Sequence, residues 1–341
     1  MQKLGIVLRR TQRLFENKGV LNPAVIEVDG KIHLFYRAIS SSGVSTIGRC
    51  ILTGTMQVSW RSEYPVLWPE FAYESSGLED PRIVCIEGLY YLTYTAYDGI
   101  NALGALATSS DLINWKKQGV IVPKITLSQY KKLRSKNRIE DHKLYIVRRA
   151  TERPTHLPVK LYLWDKNLIF FPRKIQGKFC FVHRIKPDIQ IVMIKKLENL
   201  TEVFWKNYLE HLESHIMISS KYEHECNYVG GGCPPIETTS GWLFIYHGVS
   251  GSNDEYVYSV GVSLLQLENP AVEIARLKKP LFTPDFNWET EGIVDNVCFP
   301  TGAIVIKGEL IIYYGAADER IAVFSMPLAD LLLELSMNKV Q

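Results

Sequence analysis

The sequence predicts an all-β chain folded as one five-bladed β-propeller, and three observations predict it. A glycine followed by an alternating apolar run that ends in aromatic residues recurs five times, at Gly30, Gly88, Gly177, Gly241 and Gly308. Successive glycines stand 58, 89, 64 and 67 residues apart, and the long second interval contains a basic insertion whose removal restores the common period. No segment of the repeat carries a sustained helical periodicity.

Each element of the unit has its own justification. The runs GKIHLFYRA, GLYYLTYTAYD, GKFCFVHR, GWLFIYHG and GELIIYYGAAD alternate with the period of a strand. Ahead of each glycine lie a proline and a short apolar run: NPAVIEVDG, DPRIVCIEG, FFPRKIQG, PPIETTSG and FPTGAIVIKG. Two such runs joined by a glycine turn predict a β-hairpin. A third apolar segment follows, as in ALGALATSSDLINW, IQIVMIKKLENL, VYSVGVSLLQLENP and RIAVFSMPLADLL, so each unit offers three or four strands. Units of this size arranged radially make a propeller, whereas a β-sandwich would leave the common spacing a coincidence. The expected organisation is a single catalytic domain over residues 1–341, interrupted at 124–160 between the second and third blades.

Composition excludes several classes. With 46% hydrophobic and 22% charged residues the chain is an ordinary globular one, large enough to fold without metal or disulfide. The net charge of +3 makes no global case for a nucleic-acid or membrane partner. It is an uneven sum: Lys124–Lys160 holds eleven Lys/Arg and three Asp/Glu, which leaves the remainder mildly acidic. That stretch reads as a solvated loop, with a rim shaping the site or an oligomer contact as alternatives; a homo-oligomer stays open. The six cysteines lie far apart, so zinc or a disulfide framework is not expected. No cofactor and no metal site are expected, because the histidines are scattered and no nucleotide loop follows GGGCPP. The N-terminal residues do not read as a signal peptide, which favours a cytoplasmic location, a periplasmic one being open if a leader was removed.

In a propeller, strand starts and loops from every blade converge on one end of the central channel. Polar residues at repeated places should therefore face a shared pocket. Asn22 precedes Pro23, Asp80 precedes Pro81, and Asn296 stands shortly before Pro300. Arg37, Asp98, Arg184, His247 and Asp318 end the second strands. Carboxylates and arginines there can hydrogen-bond paired hydroxyls, while Tyr and Trp cover the apolar faces of a pyranose, and Tyr97 and Tyr246 stand at such repeated places. Glu79-Asp80-Pro81-Arg82, followed at once by apolar IVCI, puts charge at the mouth of a buried strand. Plainer readings stand beside these: Asp98 as a turn residue with Gly99, Asp111 as a turn or cap residue, and His247 as a buried histidine with satisfied hydrogen bonds.

These residues carry a family resemblance. NPAVI, LFYRA, GLEDPRIV, YYLTYTAYDG, LATSSDLINW, FVHR, GGGCPPI, WLFIYHGV, NVCFPTG and YYGAAD, in that order over nearly the whole chain, resemble family 130 glycoside hydrolases and phosphorylases, five-bladed propellers that act on β-mannosides. The resemblance implies that Asp80 is the proton donor, acting directly or through a sugar hydroxyl, with inversion at the anomeric carbon. It implies that Asn22, Arg37 and Asp318 line a mannose subsite, and Arg184, Tyr246 and His247 the neighbouring anion or acceptor region.

Three departures bear on the nucleophile. Phosphorylases of the family carry cations where this chain has Leu103, Tyr228 and Ser259, and a phosphate dianion needs charged donors. The pattern resembles a subgroup of the family that hydrolyses β-1,2-mannosides with water and uses glutamates as base. That resemblance implies inverting hydrolysis of terminal β-linked mannosides, β-1,2 in the first instance. Water would be the nucleophile and Glu225 its base, with Glu255 the second candidate. A β-mannoside phosphorylase using inorganic phosphate and a non-catalytic glycan-binding propeller are the alternatives. The substrate on any of these readings is a mannose-containing oligosaccharide. A protein-interaction propeller would not require charged strand ends around the channel.

Overall fold

The computed structural model describes residues 2–134, 160–252 and 255–340. It is an all-β protein whose strands fall into five consecutive antiparallel groups. In the first group β2 (Gly19–Val28), β3 (Lys31–Ile39), β4 (Ser45–Thr53) and β5 (Gln57–Arg61) pair in order. In the second, β6 (Gly77–Ile86), β7 (Leu89–Tyr97), β8 (Ala102–Ser109) and β9 (Lys116–Val120) do the same. A single parallel pair, Ser45 with Gly77, joins the two groups into one sheet. The third group is β10 (Lys166–Phe170), β11 (Phe179–Arg184), β12 (Ile189–Ile194) and β13 (Ile216–Ile218).

The fourth group contains β14 (Tyr228–Gly231), β15 (Ile236–Thr238), β16 (Gly241–Ser252), β17 (Glu255–Leu265) and β18 (Glu273–Arg276), with β14 and β15 both paired to β16. The fifth is β19 (Cys298–Ile306), β20 (Glu309–Ala316) and β21 (Arg320–Pro327). Its outer strand is β1 (Gln2–Leu8), which pairs with β21, so the N-terminal strand completes the C-terminal sheet. Helices are few and peripheral in sequence: α1 (Leu127–Arg134), α2 (Glu202–Glu210), α3 (Asn287–Thr290) and α4 (Leu328–Ser336). None of the described helices is long and apolar enough to cross a membrane.

Strand alternation explains how the groups pack. Along β3, Leu34, Tyr36 and Ala38 enter a core shared with Tyr313 and Val323 of the fifth group, whereas Phe35 enters one shared with Leu92 and Tyr94 of the second. Three further cores join the second to the third group, the third to the fourth, and the fourth to the fifth. Both faces of the sheets are thus buried, which is why the strands read as near-continuous apolar runs.

One buried device recurs. Tyr36 of β3 donates its hydroxyl to Glu16 (2.7 Å), and Arg61 of β5 pairs with the same carboxylate (2.7 Å). Tyr94 of β7 donates to Glu74 (2.6 Å), which also pairs with Lys117 of β9 (2.6 Å). Tyr314 of β20 donates to Glu289 (2.6 Å), paired with Lys3 of β1 (2.7 Å). Tyr246 of β16 donates to Glu225, paired with Arg276 of β18 (3.2 Å). All four glutamates are fully buried. In the third group His183 of β11 takes the ring position, held between Asp165 (2.7 Å) and the hydroxyl of Tyr208 (2.8 Å). A carboxylate ahead of the first strand is thereby tied to the second strand and, in four groups, to a cation on the outermost one.

This arrangement corrects two expectations. Glu225 is not placed to activate water: its second oxygen also accepts the Lys221 (2.6 Å) and Tyr222 (3.1 Å) amides, leaving no oxygen for a nucleophile. Tyr246, expected in the anion or acceptor region, is fully buried and spends its hydroxyl on Glu225. The third repeat also begins earlier than FFPRKIQG suggests, since its first strand is KNLIF and Pro172 lies in the following turn. Of the basic insertion, residues 135–159 lie outside the described residues. The part before them is not a solvated loop: Tyr130 of α1 is buried in the core that holds Trp205 and Tyr208.

Removing one partner of a buried ion pair leaves the other charge uncompensated, at a cost of about 3–5 kcal/mol. Glu74→Gln and Glu225→Gln are expected to lose stability on that common scale in denaturant titrations, with turnover per folded molecule preserved. Loss of turnover in stable, folded Glu225→Gln would restore the base role.

Candidate active site

The site grows out of a repeated kink at the start of the first strands. Asn22, Asp80 and Asn167 have φ of 49°, 50° and 54°, and the ladders slip beside them, between Leu21 and Ala24, Glu79 and Arg82, and Lys166 and Ile169. Asn and Asp tolerate this left-handed conformation better than other side-chain-bearing residues. Pro23 and Pro81 follow two of these kinks, where a missing amide donor costs the ladder nothing. The kinks bring side chains of neighbouring groups together. Asn22 Nδ2 donates to Asp80 Oδ1 at 2.8 Å, and Gly315 lets it approach, since a Cβ there would stand 1.9 Å from Asn22 Oδ1.

Arg37 binds this cluster together. Its Nη2 lies 2.7 Å from Glu79, its Nη1 3.5 Å from Asp80, and its Nε donates to Ser45 (2.9 Å). Lys166 reaches the other oxygen of Glu79 at 3.1 Å. Burial opposes the charge of Asp80, but Arg37, Lys166, Arg82 and the Asn22 hydrogen bond outweigh it and hold the carboxyl below its ordinary range. Asp318 goes the other way: burial, aided by the charges of Asp80 and Glu79, pushes it up to about 6 against the pull of Arg37 and Lys166. Three carboxylates thus face two cations, and a proton is held on Asp318 at mildly acid pH.

A second cluster lies alongside. Arg184 Nη1 stands 3.5 Å from His247 Nε2, and His247 packs on Phe299 with centroids 4.4 Å apart. Burial, then Arg184, Arg82 and Lys186, push the His247 pKa far down, so the ring is neutral. Gly230 keeps the space beside them open; a Cβ there would stand 2.4 Å from His247 and 2.8 Å from Arg184. Lys186 Nζ lies 3.5 Å from the centroid of the Tyr228 ring, and the Arg184 guanidinium 5.2 Å from it. Tyr228 and Tyr258 share a hydrogen bond of 2.7 Å between their hydroxyls. Burial, with Arg184 and Lys166 as neighbours, brings Lys186 down to about 6.

The structure therefore brings together Asn22, Arg37, Glu79, Asp80 and Asp318, and beside them Arg184 and His247. It sets others apart. Arg82 spends its donors on the carbonyls of Asp80 (2.7 Å), Gly232 (2.7 Å) and Gly231 (3.3 Å), clamping β6 to the glycine-rich strand rather than facing a ligand. Asp98 is the turn residue, accepting the Ile100 (2.9 Å) and Asn101 (2.6 Å) amides and the Asn101 side chain (3.0 Å), while the Tyr97 hydroxyl donates to Gly99 (2.8 Å). Asp111 caps its own turn in the same way. Glu255 stands exposed at the start of β17, on a hairpin tip. Of the three places without the family cations, Leu103 and Ser259 are buried and Tyr228 is half-buried.

Lys166, Asn167 and Lys186 are the site residues that sequence reasoning missed. KNLIF aligns with LNPAV and EDPRI, so Asn167 carried a signal that the absent proline concealed. Lys186 lies beyond the strand end and belongs to no repeated place.

Comparison with known proteins agrees with this architecture. A family model for glycoside hydrolase family 130, described as beta-1,4-mannooligosaccharide phosphorylase, matches residues 7–148 and 140–336. A 1,2-beta-oligomannan phosphorylase of Thermoanaerobacter sp. (strain X514) is 32% identical over 337 residues, 96% of each chain. A beta-1,2-mannobiose phosphorylase of the same organism is 32% identical over 325 residues, 91% of this chain and 90% of that one. The beta-1,2-mannobiose phosphorylase of Listeria innocua shares the fold, with a TM-score of 0.73 at 22% identity over 98% of this chain and 97% of that one.

Asp318 also sets a stability prediction. Its folded pKa is raised above the unfolded value of 3.8, so it costs nothing where both states are protonated. The cost appears as pH rises above the unfolded value and is complete above about 6. Asp318→Asn is expected to match the wild type near pH 4 in denaturant titrations. Above pH 6 it should be more stable, by up to about 3 kcal/mol before screening by solvent.

Proposed function

We propose that this chain, which belongs to glycoside hydrolase family 130, is an inverting β-mannoside phosphorylase acting on β-1,2-linked mannosides. It would do so on a closed, single-domain five-bladed propeller, a reading supported by the five cores that link each strand group to the next and the fifth to the first. The observation that carries the activity is the cation-rich cluster connected to Asp80 through Lys166 and Arg82. It holds Arg184, Lys186 and neutral His247, with no carboxylate among the described residues pairing with either cation.

An inverting hydrolase needs a second carboxylate about 6.5–9.5 Å from the acid, on the opposite side of the sugar. Glu225 is enclosed by its own partners, and Glu255 is exposed on a hairpin tip. Glu79 and Asp318 gather with Asp80 around Arg37. The expectation of water as nucleophile, drawn from Leu103, Tyr228 and Ser259, gives way here to phosphate. Arg184 supplies positive charge where those three positions lack it, Lys186 beside it is a further donor, and the two close relatives are phosphorylases by name.

The roles follow from the two clusters. Asn22, Arg37 and Asp318 would hold the hydroxyls of a terminal mannose. Phosphate beside Arg184 would attack the anomeric carbon from the face opposite the leaving oxygen, giving α-mannose 1-phosphate. The leaving oxygen needs a proton, delivered by Asp80 directly or through a sugar hydroxyl. At mildly acid pH Asp318 holds a proton in the free protein, and mannose binding could pass it to Asp80 within the carboxylate group, which titrates as a unit.

The test is β-1,2-mannobiose incubated with and without inorganic phosphate. Mannose 1-phosphate and mannose are expected with phosphate, and no cleavage without it. Equal release of mannose in both would return the reading to hydrolysis, and no cleavage in either would favour a glycan-binding protein. Asp80→Asn is expected to lower kcat by about 10²–10⁴-fold, the range for loss of an acid catalyst, with substrate binding retained.

A further inference from the structure

We propose that Lys186 binds the phosphate together with Arg184, in a site walled by Tyr228, Tyr258 and His247, and that it takes up its proton as the anion enters. This rests on the phosphorylase reading and adds to it a particular residue and a coupling to pH.

Other cations drawn into this protein have partners. Arg37, Arg61, Lys117 and Arg276 each end on a carboxylate, Arg82 ends on backbone carbonyls, and Arg49 ends on the Leu112 carbonyl and the His33 ring. Among the described residues Lys186 Nζ meets none of these; it lies over the face of the Tyr228 ring, 3.5 Å from the centroid. Arg184 is 8% exposed, and among the described residues it has no carboxylate partner and its Nε finds no acceptor. Two adjacent cations withdrawn from water with no counter-charge are a costly arrangement that a bound anion would relieve.

Every charged group facing Lys186 acts in the same direction. Arg184 from β11 and Lys166 from β10 disfavour its proton, burial does so more strongly, and together they bring it down to about 6. His247 from β16 is neutral, and the Tyr258 hydroxyl from β17 is pushed up by burial and by its bond to Tyr228 of β14, so neither supplies negative charge. Asp188, two residues along, has interactions of its own. A lysine in this position is uncharged in the free protein at neutral pH, and becomes charged when a phosphate offers the missing negative charge. The proton balance is simple. Monoanionic phosphate can hand its proton to the amine and become the dianion, whereas a dianion entering at higher pH draws the proton from solvent.

The experiment measures the phosphate KM of phosphorolysis, and the protons taken up when inorganic phosphate binds, in wild type, Lys186→Met and Lys186→Arg. Proton uptake is read by calorimetry in buffers of different ionisation enthalpy. Lys186→Met is expected to raise the phosphate KM by about 10–100-fold, the range for losing a charge-assisted hydrogen bond, with the KM for β-1,2-mannobiose little changed. At a pH where Lys186 is neutral and free phosphate is already the dianion, the wild type should take up close to one proton per phosphate. Lys186→Arg, permanently charged, should bind phosphate without that uptake. Unchanged phosphate KM in Lys186→Met, or equal uptake in Lys186→Arg, would overturn the proposal and leave the phosphorylase reading standing. Mannoside cleavage indifferent to phosphate in the wild type would overturn that reading and this proposal with it.

Discussion

The structure depends on a carboxylate that cannot be left alone. Glu16, Glu74, Glu225 and Glu289 are fully buried, and an unpaired carboxylate in such a place would carry a penalty of several kcal/mol. Each is satisfied by a tyrosine from the second strand and a cation from the outermost one. The requirement fixes three parts of a sheet at once, because the geometry fails if any of them shifts register. It also fixes where the chain enters the first strand, since the glutamate lies ahead of it in every case. The entry points are where the site is built.

From those fixed entries the kinks at Asn22, Asp80 and Asn167 turn polar side chains toward neighbouring sheets. Two electrostatic environments result, side by side. Around Arg37 burial and the surplus of carboxylates raise Asp318, which holds a proton at mildly acid pH. Around Arg184, where no carboxylate among the described residues pairs with the cations, burial and the neighbouring positive charges lower Lys186 to about 6. A reaction that protonates a leaving oxygen on one side and engages an anion on the other calls for this asymmetry. Lys166 connects the halves, acting on both Asp80 and Lys186.

Much of the fold was legible because its signals are local. The five turn glycines and the alternating runs mark strands at a common spacing, and the proline after Asn22 and Asp80 marks two kinks directly. Asn167 escaped because its kink has no proline, so the alignment slid to Pro172. Glu225 was misread for a different reason. The glutamate-to-tyrosine separations are 20, 20, 21 and 25 residues, so the repeat is visible in two groups and blurred by loop length in the others. Seen alone beside a glycine-rich segment, Glu225 looks like a catalytic base; seen as the fourth of a set, it is a structural anchor. The prediction that Glu225→Gln loses stability as Glu74→Gln does follows from that membership.

The nucleophile turns on a distinction between sequence position and space. Leu103, Tyr228 and Ser259 remove charge from three positions, and position by position the chain looks unable to hold phosphate. Yet the side-chain nitrogen of Lys186 lies against the ring of Tyr228, so a group that can take up charge stands beside the position that lacks it. Electrostatic attraction depends on the distance from a charge to the anion and on the water excluded between them, not on which strand supplies the charge. A lysine arriving from beyond β11 can therefore serve where one on β14 is missing, and its burial adds a property a solvent-exposed cation would lack. Because it is neutral until the anion arrives, the free site avoids the repulsion of stacked cations, and the substrate completes the charge on which its own binding depends.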